Sequence, residues 1–205
     1  MIKGQELMNM FESAGAIRHG HFELSSGLHS ATYVQCALVL RYPRLAEKLG
    51  QALAALFSDA TIQTVVSPAL GGVIIGQEVA RALPAPRYGV ETGAPAIFVE
   101  RNAGGSLCLR RGFTLEPGEK VLVVEDVWTT GGSTFDTISV VEEAGGLVVA
   151  VGALIDRSGG KIEFPVESQS LIGLSIPSYA PEECPLCREG GSAVKPGSRF
   201  ARSTP

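Results

Sequence analysis

The chain has 205 residues, of which 45% are hydrophobic and 19% charged, and this composition excludes a disordered or low-complexity protein. Its 17 lysines and arginines against 21 aspartates and glutamates give a net charge of −4 without a basic stripe, which argues against a nucleic-acid-binding protein. No apolar run approaches the roughly 20 residues of a membrane-spanning helix, and the N-terminus lacks the basic and then apolar pattern of a signal peptide. We therefore expect a cytoplasmic protein with neither nucleic acid nor membrane as a partner.

Short apolar runs alternate along the chain with stretches of helical periodicity, as they do in β–α–β units. The predicted elements are, in chain order, a helix at residues 43–57, a strand at 64–67, a helix at 72–83, strands at 96–99 and 121–125, a helix ending near Ala144 and a strand at 147–154. This order predicts an α/β fold, an open and mostly parallel twisted sheet flanked by helices.

Two segments show no period. Residues 100–112 are polar and contain three glycines and three arginines, which is typical of a functional lid or of disorder. Residues 181–205 contain four prolines and three glycines, so we expect an irregular tail on the surface. Residues 1–180 are expected to form a single domain.

The chemistry concentrates after the central strand, where Glu125 and Asp126 precede Thr-Thr-Gly-Gly-Ser-Thr at residues 129–134 and a helix. Ligands of open α/β sheets bind at the carboxyl ends of the strands, and a glycine-rich helix N-terminus offers N–H groups to a phosphate. Acids beside a phosphate indicate a neighbouring group that donates hydrogen bonds or becomes positive, such as ribose hydroxyls or a cationic sugar carbon. A sugar 5-phosphate meets both demands. The alternative is an N-cap without a ligand.

Residues 121–134 (VLVVEDVWTTGGST) resemble the motif with which type I phosphoribosyltransferases bind 5-phosphoribosyl 1-diphosphate (PRPP). Residues 20–30 (GHFELSSGLHS) are similar to the N-terminal segment of the orotate-specific members, and CPLC at 184–187 with KPGSR at 195–199 resembles the tail of one branch of them. The resemblance covers nearly the whole chain. It implies the fold of that family, with a small N-terminal hood from about residues 1–40.

The resemblance implies transfer of a phosphoribosyl group from PRPP to orotate, with Mg²⁺, which gives orotidine 5′-monophosphate and pyrophosphate in pyrimidine nucleotide synthesis. It gives catalytic roles to Glu125, Asp126 and Arg101. The residues implied to bind PRPP are Arg101, Glu125, Asp126, Val127, Trp128, Thr129, Thr130, Gly131, Gly132 and Ser133. The residues implied to contact orotate are Thr129, Arg157, Ser25 and Tyr33. We predict no metal ligand among the protein's side chains, because PRPP would carry the Mg²⁺.

The resemblance also makes residues 68–72 the pyrophosphate loop and residues 100–112 a lid that reaches the partner's site in a two-fold homodimer. The chain departs from many members at three places, since the lid contains no lysine, Leu70-Gly71 replaces Tyr-Lys, and Ser25 replaces a lysine. Each departure removes positive charge from the pyrophosphate side. The lid's remaining cations are Arg101, Arg110 and Arg111.

Other interpretations stay open. Arg157 suits the carboxylate of orotate but could instead pair with Asp156, and Tyr33 could be a core aromatic residue. A transferase for another base would share the PRPP motif. A non-catalytic PRPP-sensing regulator would also fit the missing lid lysine.

The cysteines and histidines give only weak signals. Cys184 and Cys187 supply two of the four ligands of a structural zinc, or a redox pair, or an inert turn. His19, His21 and His29 suggest a metal site, His19 and His21 above all, but only Glu23 nearby in the sequence could extend their ligand set.

Overall fold

The computed structural model describes residues 4–24, 26–84 and 93–196. Its centre is a six-stranded sheet with the strand order β5-β4-β3-β6-β7-β8. The strands are β3 (Thr64–Pro68), β4 (Ala96–Arg101), β5 (Leu107–Leu109), β6 (Lys120–Trp128), β7 (Leu147–Asp156) and β8 (Glu167–Gly173). All neighbouring pairs are parallel except β4 and β5. The predicted fold class is therefore confirmed.

Helices cover both faces of this sheet, and a small antiparallel hairpin precedes it. The helices are α1 (Gly4–Ser13), α2 (Ala37–Leu40), α3 (Pro43–Ala55), α4 (Gly71–Ala82), α5 (Gly132–Glu143) and α6 (Pro185–Arg188), and the hairpin consists of β1 (Ile17–Glu23) and β2 (His29–Val34). The hairpin forms its own two-stranded sheet, which matches the predicted hood. No helix in the described ranges is long and apolar enough to cross a membrane.

Strand β6 shows why the central run of the sequence is continuously apolar. Leu122 and Val124 belong to the core on the α3 and α4 side, whereas Val121 and Val123 belong to the core on the α5 side. All four side chains are fully buried. Both faces of the strand are covered, so no position alternates to a polar residue.

The lid segment is more regular than the sequence predicted. Instead of an aperiodic loop at residues 100–112, β4 continues to Arg101 and pairs with β5 through Val99–Leu109, Glu100–Cys108 and Arg101–Leu107. The strand β5 has only three residues, which is too short to produce a readable alternation. The segment expected to act as a lid therefore forms a β-hairpin at the edge of the sheet.

Residues 181–196 of the C-terminal segment are mostly exposed but more regular than expected, and residues 197–205 lie outside the described residues. Residues 181–196 contain a 3-10 turn at Pro181–Glu183 followed by α6, and the side chain of Cys184 is fully buried between them. The segment is ordered because its backbone pairs with the N-terminal hairpin: the N–H of Glu23 donates to the carbonyl of Val194 over 2.9 Å.

Candidate functional site

The parallel strands bring the candidate residues to one edge of the sheet. Strands β3, β4, β6 and β7 run in the same direction, so their carboxyl ends lie at the same edge. Residues 69–71 follow β3, the lid hairpin continues β4, the phosphate loop follows β6, and Arg157 follows β7. Trp128 and Asp156 are register partners, and the N–H of Arg157 donates to the carbonyl of Trp128 over 2.8 Å.

The two acids of the candidate site lie near the end of β6 and are mostly buried. Glu125 is only 7% exposed. Burial, followed by the charge of Asp126, raises the pKa of Glu125 from 4.5 to about 9. Burial also raises the pKa of Asp126. Neither carboxyl group forms an ion pair within the described ranges, so the site holds acidic oxygens that an incoming donor or cation can satisfy.

The segment after β3 lies directly against this acid pair. A Cβ atom at Gly71 would lie 2.7 Å from Oδ1 of Asp126, which is closer than such atoms approach each other. The first residue of α4 therefore has to be glycine if Asp126 keeps its place. The peptide bond between Ala69 and Leu70 is cis, and the side chain of Leu70 is exposed.

The candidate phosphate loop connects β6 to α5. Gly131, the N-cap of α5, has a φ of 77°, and a Cβ atom there would lie 3.1 Å from Cγ2 of Ile162. The N–H of Gly132 donates to Oγ1 of Thr130 over 3.4 Å, and the following N–H groups open the helix. The side chain of Trp128 is 4% exposed, and its Nε1 donates to Oγ1 of Thr134 over 3.1 Å.

The side chain of Arg157 is half-buried and incompletely paired. Its Nε is buried and makes no hydrogen bond within the described ranges, and burial lowers the pKa of the guanidinium. The alternative pairing with Asp156 does not occur, since Oδ1 of Asp156 accepts the N–H of Ser158 over 2.7 Å instead. A buried guanidinium with an unused donor suits an anionic ligand.

A further predicted orotate contact, Tyr33, lies in strand β2 of the hairpin. Tyr33 is half-buried, its ring centroid lies 5.7 Å from that of Phe22, and its hydroxyl accepts a hydrogen bond from Gln35 over 3.4 Å. Ser25 lies outside the described residues. Thr129, the remaining predicted contact, is exposed at the start of the phosphate loop.

The three lid arginines have different surroundings. Nη1 of Arg101 donates to the carbonyl of Gly105 over 2.5 Å, which turns this side chain back onto its own hairpin. Arg111 makes a two-pronged ion pair with Glu100 at 2.7 and 2.8 Å. Arg110 is exposed, and no hydrogen bond or ion pair of its side chain occurs in the part of the chain described. Arg110 is therefore the lid arginine with a free guanidinium.

A second polar cluster joins the hairpin of β1 and β2 to the C-terminal segment. His21, His29, Cys184 and Cys187 each place one nitrogen or sulfur atom within 4.8 Å of the others. The cluster contains the Cys184 and Cys187 pair, for which a structural zinc site was one of the open interpretations, and adds two histidines to it. The sequence did not link the histidines to the cysteines, because more than 150 residues separate them. The CxxC motif and the eight-residue spacing of the histidines were the available signals.

Comparison with known sequences gives consistent results. The phosphoribosyl transferase domain family matches residues 38–167. The chain is 49% identical over 195 residues to orotate phosphoribosyltransferase of Desulforamulus reducens, covering 95% of this chain and 97% of the relative. It is 51% identical over 192 residues to orotate phosphoribosyltransferase of Caldicellulosiruptor bescii, covering 94% and 96%.

Solved structures agree with the sequence relatives. Orotate phosphoribosyltransferase of Mycobacterium tuberculosis in complex with PRPP superposes with a TM-score of 0.63 at 27% identity, covering 84% of this chain and 96% of that one. The same enzyme with inorganic phosphate gives a TM-score of 0.64 at 26% identity with the same coverage.

Proposed function

Since the chain belongs to the phosphoribosyl transferase family and, within it, to the orotate phosphoribosyltransferases, we propose that it transfers the 5-phosphoribosyl group from PRPP to orotate. The products are orotidine 5′-monophosphate and pyrophosphate. One observation carries the proposal: a buried acid pair at the end of β6 is followed directly by a glycine turn into the N-terminus of α5.

The loop from Val127 to Ser133 would hold the 5′-phosphate. The N–H groups at the start of α5 and the hydroxyls of Thr129, Thr130 and Ser133 are donors, and the helix dipole favours negative charge there. The left-handed turn at Gly131 supports this role, because it turns the chain directly into the helix.

Glu125 and Asp126 would accept hydrogen bonds from the ribose hydroxyls. During transfer the bond from ribose C1 to the pyrophosphate oxygen breaks, and its electron pair leaves with the pyrophosphate. A bond from C1 to a ring nitrogen of orotate forms, and the proton of that nitrogen passes to the departing pyrophosphate. C1 becomes positively charged in between, and the acidic oxygen atoms of the pair stabilise that charge. The buried position of the pair supports the proposal, because electrostatic interactions are stronger where water is excluded.

The remaining contacts divide between the base and the leaving group. Arg157 would bind the carboxylate of orotate, with Tyr33, Ser25 and Thr129 around the base. Arg101 in the lid would stabilise the leaving pyrophosphate, and Arg110, whose guanidinium is free, is a second candidate for that contact.

Mg²⁺ fits this arrangement, since two carboxyl groups without a basic partner face a loop built for phosphate. Bound together with PRPP, the ion would neutralise charge on the pyrophosphate as it leaves. Glu125 and Asp126 are the protein groups that would hold the ribose end of this complex. We further propose a cytoplasmic homodimer in which each lid completes the partner's site.

The test is to mix the protein with orotate, PRPP and Mg²⁺ and to follow orotate by its ultraviolet absorbance. We expect consumption that requires both PRPP and Mg²⁺, and none when adenine, hypoxanthine or uracil replaces orotate as acceptor. If PRPP raises the melting temperature but orotate is not consumed, the phosphate loop is real and the proposed acceptor is wrong. Tight binding of nucleic acid at physiological salt would favour a regulator instead.

A further inference from the structure

We propose that His21, His29, Cys184 and Cys187 form a structural zinc site that fastens the C-terminal segment to the N-terminal hairpin. The proposal does not depend on the transfer reaction, because none of these four residues has a role in it. It rests on the geometry of four ligand atoms, on the chemistry of those atoms and on the backbone that holds them.

The four ligand atoms converge on a single point. Nε2 of His21 lies 3.0 Å from Nδ1 of His29, 3.5 Å from Sγ of Cys184 and 3.7 Å from Sγ of Cys187. Nδ1 of His29 lies 3.2 Å from Sγ of Cys187. A tetrahedral zinc ion with ordinary bond lengths has ligands about 3.3 Å apart for two nitrogens and about 3.6 Å apart for nitrogen and sulfur. These four separations lie within a few tenths of an ångström of the corresponding edges, and all four ligand atoms lie within 4.8 Å of one another.

Hydrogen bonding explains the cluster less well than a metal does. Nε2 of His21 is within reach of three other groups at once, although a neutral imidazole nitrogen either donates one hydrogen bond or accepts one. Nδ1 of His21 is buried and has no partner in the described ranges. The polar contacts of this ring therefore run through Nε2, on the side where the other three ligand atoms lie.

The ligand types select the ion. Two thiolates and two imidazoles suit zinc rather than Mg²⁺ or Ca²⁺, which prefer oxygen ligands. Cys184 and Cys187 are separated by two residues at the start of α6, the ordinary spacing of a zinc-binding turn. All four positions are filled by protein, so the site would be structural rather than catalytic.

The backbone around the cluster is already arranged for binding. His29 and Tyr179 exchange backbone hydrogen bonds of 2.8 and 2.9 Å, and the N–H of Val194 donates to the carbonyl of His21 over 2.9 Å. An ion pair between Lys195 and Glu23 lies beside them. Both cysteines thus lie between two points at which the C-terminal segment pairs with the hairpin, and an ion there would join parts of the chain more than 150 residues apart.

The metal content of the purified, untagged full-length chain tests this inference. We expect about one zinc ion per chain by elemental mass spectrometry, as a closed four-ligand site requires. Cys187→Ser and His29→Gln should lose most of that zinc. Cys108→Ser and His19→Gln are the matched controls, because they change a cysteine and a histidine outside the cluster, and they should keep it.

Two measurements on the unmodified chain test the proposal even if the variants fail to fold. Chelation should lower the melting temperature by on the order of 5–10 °C, and added zinc should restore it. Replacement by Co²⁺ should give the visible absorption of a tetrahedral ion with thiolate ligands.

Three results would overturn the proposal. The first is a folded chain that neither carries zinc nor gains thermal stability when zinc is added. The second is zinc that stays bound equally in the Cys187→Ser and Cys108→Ser variants. The third is a disulfide between Cys184 and Cys187 in anaerobically purified protein, which would make the pair a redox element.

Discussion

Glu125 and Asp126 illustrate, at the scale of single residues, how a binding site can oppose the stability of the fold that holds it. Two adjacent carboxyl groups are placed where burial disfavours their charged forms, and no ion pair within the described ranges compensates them. Such an arrangement costs folding free energy at neutral pH. A substrate that donates hydrogen bonds to the pair would recover part of that free energy on binding.

We predict that Glu125→Gln raises the melting temperature of the free protein at pH 8 by roughly 3–6 °C while it lowers turnover. The pKa of Glu125 is raised from 4.5 to about 9 in the folded chain. Between these values the folded state binds more protons than the unfolded state, so the free energy of unfolding falls as the pH rises. A neutral amide removes that loss. Calorimetry with parallel rate measurements checks both effects.

The wild type and the Glu125→Gln variant also provide an internal control at low pH. Below about pH 4.5 the carboxyl group is protonated in both states, so the wild type and the variant should melt at similar temperatures. A stability difference that stays constant from pH 5 to pH 9 would contradict the assigned burial effect.

Arg157 carries the second residue-scale prediction. Arg157→Lys should raise the KM for orotate by roughly 10–100-fold, since a two-pronged bond to a carboxylate is lost, and should leave the KM for PRPP nearly unchanged. Steady-state kinetics with each substrate varied in turn measures both values. Arg44→Lys, on the exposed start of α3, is the matched control. Equal increases in the two KM values would show that Arg157 supports the site as a whole instead.

At the scale of elements, the arginines of the lid hairpin differ in whether another group of the hairpin already binds them. We predict that Arg110→Ala lowers kcat/KM for PRPP on the order of 10–100-fold, because it removes a free cation from the pyrophosphate side. Arg111→Ala should have a much smaller effect, since Glu100 already binds that guanidinium. Rate measurements on both variants decide the matter, and a larger loss in Arg111→Ala would reverse the assignment. Melting temperatures should barely move, as exposed ion pairs contribute little.

The elements also show which parts of the fold the sequence makes predictable. Helices α3, α4 and α5 and strands β3, β6 and β7 were predicted within a few residues, because each buries an apolar stripe or an apolar run. Strand β8, ESQSLIG, lies at the edge of the sheet and is mostly polar, so its pattern gives little signal. The pairing of β4 with β5 is a tertiary contact, and the three residues of β5 are too few to form a sequence pattern that predicts it.

The candidate site likewise has features that the sequence predicts and features that it does not. The acid pair and the phosphate loop occupy one continuous stretch, so their spacing alone predicts a phosphate site. Arg111 differs from Arg110 because Arg111 forms an ion pair with Glu100 across the hairpin. The cysteine and histidine cluster depends on the C-terminal segment returning to the hairpin. Spacing in the sequence cannot reveal contacts of that kind.

At the scale of the whole molecule, one sheet edge gathers the acid pair, the phosphate loop, Arg157 and the lid hairpin. The proposed homodimer would assign these parts to two different chains, with the lid acting in the partner's site. That assignment has a consequence that a monomeric enzyme would not show. Two inactive variants, each damaged in a different part, could restore an intact site when they share one dimer.

We predict that mixing Asp126→Asn with an Arg101→Ala/Arg110→Ala double variant, followed by subunit exchange, restores activity. In a mixed dimer the double variant keeps an intact acid pair and would receive an intact lid from its Asp126→Asn partner. Random exchange then gives about one quarter of the wild-type activity per chain, because half the dimers are mixed and each has one complete site. Each variant incubated alone is the control. If the lid served its own chain, every site in the mixture would stay damaged and no activity would return.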